Sequence, residues 1–406
     1  MQSIARGRRP ELSVALDEAR LGEALDSFEV ELPSWGFSNT GTRFRVFPQA
    51  GVPRTTEEKI EDAATVHRYT GATPLVSLHI PWDRVGDFGQ LGLLAASMGL
   101  RIGAINSNTF QDEQFKVGSL AHPDATVREN AIRHCLDCCE IVAATGSHAL
   151  KVWLGDGTNY PGQDDFRARK RRLSEAFSRI HAALPEPALM LIEYKFFEPA
   201  FYQTDIQDWG MALLLAQQAG ERARVVVDLG HHAQGVNIEQ IVAILLDEDR
   251  LGAFDLNDRK YGDDDLIAGS INPYQLFLVF NELVAAGLAS GAPGASARKV
   301  AYMVDQCHNL EPKLPALIRT VMTLQEHWLK AQLVDREALA GYQLDGDILR
   351  ANAELKAAFD TDVRPILSRW RQARDLPTDP FVAYLESGEE EQRADARRDG
   401  VGAGWT

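Results

Sequence analysis

Metal-ligating side chains collect where two apolar segments in the middle of the chain end. One segment reads Val-Val-Val-Asp-Leu-Gly-His-His and the other Phe-Asp-Leu-Asn-Asp-Arg-Lys-Tyr-Gly-Asp-Asp-Asp, which places there Asp228, His231, His232, Asp255, Asp258, Asp263, Asp264 and Asp265. Carboxylates crowded together repel one another, and each raises its neighbours' pKa unless a cation lies among them. We therefore predict a divalent-metal site at one end of a parallel sheet.

Two candidate ligand sets follow from these positions. Four acids near the ends of successive apolar runs form the first set, Glu193, Asp228, Asp255 and Asp305. A hard ion such as Mn²⁺ or Mg²⁺ prefers oxygen ligands of this kind, although a lone acid there is more commonly a helix cap or a salt-bridge partner. The second set lies in the loops just beyond and consists of His231, Asp263 and Asp265. Its nitrogen ligand allows Mn²⁺ or Co²⁺.

Some residues of these loops have simpler interpretations. For the aspartates at 263–265, a solvated turn or the cap of the next helix is the alternative to a ligand role. His232 is interpreted as a packing residue or as one that supports the metal ligands from behind.

Other strand ends carry a cation, a histidine and aromatic residues. Lys195 follows Glu193 by two positions, so both side chains leave a strand on the same face. A lysine there stabilises an oxyanion of the substrate, or else neutralises the acids in a salt bridge. His79 is a substrate contact or a buried histidine. The apolar wall on which sugar C–H groups would stack, with plain packing as the alternative, consists of Trp35, Trp82, Phe110 and Trp153.

Eight short apolar runs alternate with helix-length amphipathic segments, at residues 33–39, 75–80, 101–106, 149–154, 188–195, 224–230, 251–257 and 299–305. This alternation predicts a parallel sheet, and eight is the number of strands that closes a (β/α)8 barrel. Such barrels carry their functional residues at the carboxyl ends of the strands, where the residues above fall. A doubly wound open sheet is the alternative, but no Gly-x-Gly-x-x-Gly follows the first run. We predict an α/β fold, a TIM barrel with an N-terminal leader helix and a C-terminal helical extension.

The predicted organisation has four parts. Residues 1–30 form a helical leader, residues 31–333 the catalytic barrel, and residues 334–385 a helical extension that wraps the barrel or joins subunits. Residues 386–406 are dense in Glu, Arg, Asp and Gly, so we expect a poorly ordered tail.

Composition excludes several classes of protein. The formal net charge of −16 over 406 residues opposes nucleic-acid binding, which needs a basic face. No apolar run approaches the roughly 18 residues of a membrane span, and the basic N-terminus lacks the apolar stretch of a secretion signal. Cys135, Cys138 and Cys139 have helical spacing without a second pair for zinc. They predict reduced core thiols in a cytoplasmic protein.

Five segments together resemble the L-rhamnose isomerases, in particular the broad-specificity type that acts on other aldoses as well. They are Trp-Leu-Gly-Asp-Gly-Thr-Asn-Tyr-Pro-Gly at 153–162, Glu-Tyr-Lys-Phe-Phe-Glu-Pro-Ala-Phe-Tyr at 193–202, Val-Asp-Leu-Gly-His-His at 227–232, Asn-Asp-Arg-Lys-Tyr-Gly-Asp-Asp-Asp at 257–265 and Val-Asp-Gln-Cys-His-Asn at 304–309. The resemblance extends from about Trp35 to the C-terminal helices, and several joined motifs in the same order make it specific.

The resemblance implies a metal-dependent aldose–ketose isomerase, usually a homotetramer, with two divalent ions, Mn²⁺ or alternatively Co²⁺ or Mg²⁺. The first ligand set matches the family's first metal site, and the second set matches its catalytic metal site. Lys195 matches the residue near O1 and O2 of the sugar, and His79 the residue that faces the ring oxygen. Phe44 matches a loop residue that reaches the neighbouring subunit's pocket. The predicted catalytic residues are Lys195, His231 and Asp305, and the predicted substrate contacts are Trp35, Phe44, His79, Phe110 and Trp153.

One residue departs from the family's pattern. Asp255 stands where the family commonly has His, so the first site would be all-oxygen and one charge more negative. That arrangement resembles the all-carboxylate site of xylose isomerases, and it bears on metal preference and substrate range.

The expected reaction interconverts L-rhamnose and L-rhamnulose, or a related pair, by hydrogen transfer between C1 and C2, through a hydride shift or an ene-diol. A sugar epimerase of the same barrel superfamily is the first alternative, and it would need two carboxylates facing each other across a single metal. A DNA-repair endonuclease would need a basic groove, which the net charge opposes. A non-catalytic sugar-binding barrel would not need two metals. The residues do not determine which aldose is physiological.

Overall fold

The fold is a closed barrel of eight parallel strands, in a computed structural model that describes residues 17–39, 47–198, 203–306 and 310–398. Each strand pairs with the next along the chain, and β8 pairs with β1 to close the barrel. The strands are β1 Val30–Pro33, β2 Leu75–Ile80, β3 Arg101–Ser107, β4 Ala149–Val152, β5 Leu189–Glu193, β6 Ala223–Asp228, β7 Leu251–Leu256 and β8 Ala301–Val304. The predicted (β/α)8 barrel is confirmed.

Fifteen α-helices lie in the described ranges: α1 Glu18–Asp26, α2 Thr56–Thr70, α3 Phe88–Ser97, α4 Ala125–Thr145, α5 Phe166–Ala183, α6 Trp209–Ala219, α7 Ile238–Asp247, α8 Pro273–Leu288, α9 Ala292–Ala297, α10 Lys313–Gln332, α11 Arg336–Asp345, α12 Ile348–Asp360, α13 Arg364–Gln372, α14 Pro380–Glu386 and α15 Glu389–Ala396. Most start at an Asp, Asn or Thr whose side chain accepts a backbone N–H, as Asp208 does at α6. None of the helices described has the length and apolarity that a membrane span requires.

A layer of small and aliphatic side chains fills the barrel interior directly below the polar end. Its members come from six strands and are Ala104, Ala149, Leu191, Val226, Ala253 and Met303. Side chains two positions apart on a strand share a face, so the next inward layer toward the carboxyl end consists of Asn106, Lys151, Glu193, Asp228, Asp255 and Asp305. The apolar layer therefore packs directly beneath the layer that contains the acids.

The first strand lies earlier than the predicted run at 33–39. β1 ends at Pro33, and residues Ser34–Phe37 form a 3₁₀ turn in which Trp35 and Phe37 are buried. Pro33 has no N–H to continue the ladder, and the turn lets the indole of Trp35 reach Asp305, 2.7 Å from Nε1 to Oδ1. The prediction failed because a fully buried short strand and a buried turn are equally apolar.

The C-terminal residues 386–398 also differ from the prediction of a poorly ordered tail. Residues Glu389–Ala396 are helical, and Arg397 donates to Asp62 of α2, 2.8 Å from Nη1 to Oδ2. Arg393 donates to the other oxygen of Asp62 at 3.1 Å, and the Asp62 side chain is completely buried. Composition failed here because it treats charges as solvated, whereas these arginines are paired with a buried carboxylate.

Replacing Arg397 should therefore destabilise the protein. Arg397→Met leaves Asp62 buried with one cation fewer, which we expect to lower the free energy of unfolding by about 3 kcal/mol in urea denaturation. The matched control is Arg398→Met, because Arg398 is exposed and pairs with exposed Asp395. That control should leave the free energy of unfolding unchanged. Equal stabilities of both variants and the wild type would show that the tail does not clamp α2.

Candidate metal centre

The carboxyl end of the barrel is divided into an aromatic half and an acidic half. Strands β1 to β4 and the segments after them bring Trp35, His79, Trp82, Phe110 and Trp153, whereas β5 to β8 bring Glu193, Asp228, Asp255 and Asp305. Oxygen atoms of these four acids lie within 4.8 Å of one another, and atoms of Glu193, Asp228 and His231 form a second group within the same limit. The structure thus brings the predicted first ligand set together.

Asp228 presents one free oxygen to the centre. Its Oδ1 accepts the backbone N–H of Gly230 at 2.6 Å and the amide of Asn257 at 3.0 Å. Its Oδ2 is buried and has no hydrogen-bond partner among the described residues. Burial, followed by the charges of Glu193 and Asp263, raises the pKa of Asp228 to about 7 against the opposing effect of His231. A buried oxygen held in place without a donor is the arrangement that a cation would complete.

His231 is oriented as a metal ligand would be. Its Nδ1 lies 2.9 Å from the carbonyl oxygen of Tyr194, and because a carbonyl can only accept, Nδ1 carries the proton. Nε2 then faces Asp228 Oδ2 at 3.7 Å and Asp263 Oδ1 at 3.3 Å. Burial alone would lower the pKa of His231, but these two carboxylates raise it well above its ordinary value. The imidazole supplies positive charge at the place where we expect a metal ion.

The aspartates at 263–265 have different roles: one stabilises the loop, and two line the cavity. Asp264 accepts the backbone N–H groups of Lys260 at 2.7 Å and Tyr261 at 2.8 Å, and so ties the loop together. Asp263 faces His231, and Asp265 is almost completely buried with a left-handed φ of 47°. A left-handed conformation is strained for a residue other than glycine and is concentrated at functional sites. Asp264 therefore stabilises a turn, which was the alternative to a ligand role. Asp263 and Asp265 instead line the cavity described below.

Lys195 stands between the acids and the aromatic half. Its Nζ lies 2.7 Å from Asp263 Oδ2 and 2.7 Å from Glu198 Oε2, and 5.3 Å from the ring centre of Trp153. Burial alone would lower the pKa of Lys195, but the two carboxylates raise it, so the ammonium is charged at neutral pH. Sequence reasoning missed Glu198, although it follows Lys195 by three residues in the segment that carried the resemblance.

Lys151 is a second buried ammonium that sequence reasoning missed. It points inward from β4, with Nζ 3.1 Å from Glu193 Oε2 and in an ion pair with Asp255 Oδ2. Burial opposes its charge, but Asp255 and Glu193 raise the pKa of Lys151. For Glu193, burial raises the pKa, but the positive charges of Lys151 and His231 lower it to about 2. The signal was available, because Lys151 shares strand parity with Trp153.

The aromatic half forms a continuous wall. His79 stacks on Trp82 with ring centres 3.7 Å apart, and Phe110 meets Trp153 edge to face at 4.7 Å. Trp35 lies 5.5 Å from His79 and donates to Asp305. Burial, followed by the charge of Lys151, lowers the pKa of His79 well below its ordinary value, so this imidazole is neutral. His79 Nδ1 is buried without a hydrogen-bond partner among the described residues.

A cavity of about 400 Å³ lies between the two halves. Its lining includes His79, Phe110, Trp153, Lys195, His231 and Asp263, and also Trp35, Glu193, Asp265 and Asp305. Pockets of roughly 300–1,000 Å³ suit small molecules. Asp228 and Asp255 are completely buried behind the lining, and Phe44 lies outside the described residues.

A larger cleft of about 1410 Å³ opens at the opposite end of the barrel. It is lined by the first residues of several strands, among them Leu75, Arg101 and Leu251. Its buried acid, Glu31, pairs with His148 at 2.8 Å. In such barrels the residues at this end support the stability of the fold, whereas active sites form at the carboxyl ends of the strands. We therefore place the functional site at the carboxyl end.

Of the second predicted set, His231 forms a possible ligand group with Glu193 and Asp228, and Asp263 Oδ1 lies 3.3 Å from His231 Nε2. His231 Nε2 and the bare Oδ2 of Asp228 face each other, and Asp263 joins them from the loop. One imidazole nitrogen among carboxylate oxygens suits Mn²⁺ or Co²⁺. For the first predicted set, the ammonium of Lys151 already lies against two of the four acids.

Two curated proteins are similar to the chain over most of its length. A probable sugar isomerase of Rhizobium meliloti is 48% identical over 367 residues, which cover 89% of this chain and 84% of the relative. A probable sugar isomerase of Mesorhizobium japonicum is 47% identical over 400 residues, covering 94% of this chain and 91% of the relative. No family model matches the chain.

A solved structure of L-ribulose 3-epimerase shares the fold. It superposes with a TM-score of 0.54 at 12% identity and covers 75% of this chain and 97% of the epimerase. At this identity the similarity establishes the barrel architecture alone.

Proposed function

The chain belongs to the sugar isomerase family of its two rhizobial relatives, and from that premise we propose that it is a metal-dependent aldose–ketose isomerase. The proposed reaction interconverts L-rhamnose and L-rhamnulose, or a related aldose and ketose, by hydrogen transfer between C1 and C2. The preference for L-rhamnose rests on the motif resemblance, while membership of the family supports isomerisation of a sugar.

The observation that carries the proposal is the position of His231 between two carboxylates at the cavity wall, with Lys195 beside them. We propose that a divalent ion is held by His231, Asp263 and Asp265, together with Asp228 and Glu193 from the strands. When bound there, a divalent ion acts as a Lewis acid toward the sugar's O1 and O2. Mn²⁺ is the expected ion, with Co²⁺ or Mg²⁺ as the alternatives.

The chain's own residues would bind and orient the open-chain sugar. The ammonium of Lys195 lies at the cavity wall, where it would stabilise negative charge that develops on O1 or O2 during hydrogen transfer. Neutral His79 can donate to or accept from a sugar oxygen, which fits its bare Nδ1. Phe110 and Trp153 present apolar surface on which C–H faces of the sugar pack. Asp305, held by Trp35, borders the same cavity.

A metal-reconstitution assay tests the proposal. The protein is stripped with chelator, reconstituted with Mn²⁺, and assayed for ketose formation from L-rhamnose, L-mannose, L-lyxose, D-allose and D-xylose. Stripping should lower the rate about a thousandfold, since Lewis-acid assistance is worth several kcal/mol, and Mn²⁺ should restore it. Turnover that persists unchanged after verified metal removal would contradict the metal-dependent mechanism, and turnover of another aldose alone would change only the substrate.

A sugar epimerase of the same superfamily is the second candidate. The fold similarity to L-ribulose 3-epimerase is compatible with it, because such barrels carry their active sites at the carboxyl ends of the strands. The same reconstituted protein is therefore also offered ketoses, with inversion at C3 as the readout. Epimerisation without any aldose–ketose conversion would replace the proposed reaction.

The proposal includes a homotetramer in the cytoplasm. The tetramer is supported by the motif resemblance, and the location by Cys135, Cys138 and Cys139, which are free and buried in the barrel's outer helix layer. A small sugar is the proposed partner, with neither nucleic acid nor membrane.

A further inference from the structure

We propose that the ammonium of Lys151 takes the place of the first of the two divalent ions implied by the motif resemblance, so that each chain holds a single divalent ion on the His231 side. This inference rests on the proposed metal-dependent isomerase. Glu193 and Asp228 belong both to the first ligand set and to the group of possible ligands that includes His231. The inference concerns the number of ions and the residue that replaces one of them.

Lys151 lies against two of the four acids of the first ligand set. Its side chain is only 5% exposed, and Nζ contacts the carboxylates of Glu193 and Asp255. Both belong to the group of four acids whose oxygens converge within 4.8 Å. A buried lysine needs paired acids, and these acids need a cation, so each satisfies the other without a metal.

The remaining acids of the set are held by other donors. Asp305 Oδ1 accepts the indole N–H of Trp35 at 2.7 Å, and Asp228 Oδ1 accepts two donors of its own. The second oxygen of Asp228 faces His231 and belongs to the other set. Two oxygens of the first set are buried without a hydrogen-bond partner among the described residues, Asp228 Oδ2 and Asp255 Oδ1. Since Asp228 Oδ2 faces His231, Asp255 Oδ1 is the one that remains on the Lys151 side.

Electrostatics opposes an ion beside this ammonium. A divalent ion bound to Glu193 and Asp255 would share these two carboxylates with the Lys151 ammonium. Like charges repel strongly in a buried site, where little water screens them. Asp255 adds one negative charge relative to the histidine common in the resembling family, and Lys151 supplies the matching positive charge. The Lys151–Asp255 pair thus replaces a neutral ligand and a metal with an internal salt bridge.

Counting ions tests this directly on the full-length protein. Metal-free wild type is loaded with excess Mn²⁺, desalted, and analysed for Mn²⁺ per chain, with the Mn²⁺ electron paramagnetic resonance spectrum as a second readout. We expect one ion per chain and the hyperfine pattern of an isolated ion. Two ions per chain with an exchange-coupled spectrum would overturn the inference and leave the proposed function intact. No bound ion would refute the metal-dependent function and this inference together.

A substitution assigns the effect to Lys151. Lys151→Met keeps the side chain's length and removes its charge, so a second Mn²⁺ should bind and couple magnetically to the first. The matched control is Lys59→Met, which removes another buried ammonium, paired with Asp83 at 2.6 Å. That control should still bind one ion. A single ion in folded Lys151→Met would overturn the inference, and the wild-type count decides the matter if the variant does not fold.

Discussion

His231→Ala should lower kcat by about a thousandfold with every aldose that the wild type converts, because the substitution removes the imidazole that we propose as a ligand of the Lewis-acidic metal ion. The imidazole is held by the Tyr194 carbonyl and faces Asp228 and Asp263. Steady-state kinetics at saturating Mn²⁺, together with a Mn²⁺ titration, measures the effect. We expect the affinity for Mn²⁺ to fall as well.

The neighbouring histidine provides the control. His232 is equally buried but turns away, with Nε2 2.6 Å from the hydroxyl of Tyr194, and burial lowers its pKa to about 3. His232→Gln retains a polar side chain near Tyr194 and should keep kcat within about tenfold of the wild type. Near-normal kcat in His231→Ala, with an unchanged circular dichroism melting curve, would remove His231 from the proposed site.

Lys195→Met is expected to lower kcat by about 10²–10³-fold, the usual cost of losing one group that stabilises an oxyanion. KM should change little, because the ammonium acts chiefly on charge that develops during hydrogen transfer. Methionine keeps a side chain of similar length and removes the ammonium, including its contact with the ring of Trp153. Kinetics of the Mn²⁺-loaded variant, with Mn²⁺ per chain measured on the same sample, checks both statements.

A purely structural role for Lys195 predicts a different result. As a salt bridge to Asp263 and Glu198, it would support thermal stability and metal content but not turnover. A lower melting temperature with unchanged kcat would therefore contradict the catalytic role. Lys170→Met serves as the surface control, because the Lys170 ammonium lies away from the acids of the centre and donates to Gln218 on the neighbouring helix.

Local sequence patterns were sufficient for most of the barrel. Strand β2 has the predicted bounds, and six others differ by one or two residues at one or both ends, because apolar runs bounded by helix signals mark strands well. The first strand was misplaced because the indole of Trp35 is buried by a contact with Asp305, 270 residues away. Such a contact leaves no trace in local periodicity. The charged tail was misjudged for the same reason, since its partner Asp62 lies on α2.

The candidate site was predictable where strand order alone decides proximity. Glu193, Asp228, Asp255 and Asp305 had to converge once eight strands closed in sequence. Lys151 was not foreseen as their partner, because β4 contacts β5 in the sheet but reaches Asp255 only across the barrel interior. Strand parity indicates that Lys151 points inward, but the acid that it reaches depends on the length of its side chain and on the closure of the barrel.

The separation of the barrel mouth into an aromatic half and an acidic half affects how the enzyme can be re-engineered. A mutant library confined to the segments after β2, β3 and β4 would vary the shape presented to the sugar while every acidic side chain of the centre stays fixed. Duplicating the gene and diverging only that half would likewise be expected to give new substrate preferences without changing the acidic half. To change the substrate preference, the residues to vary are therefore those near Trp82, Phe110 and Trp153. Mutations in the segments after β5 to β8 belong in a separate experiment that selects for a change in metal binding.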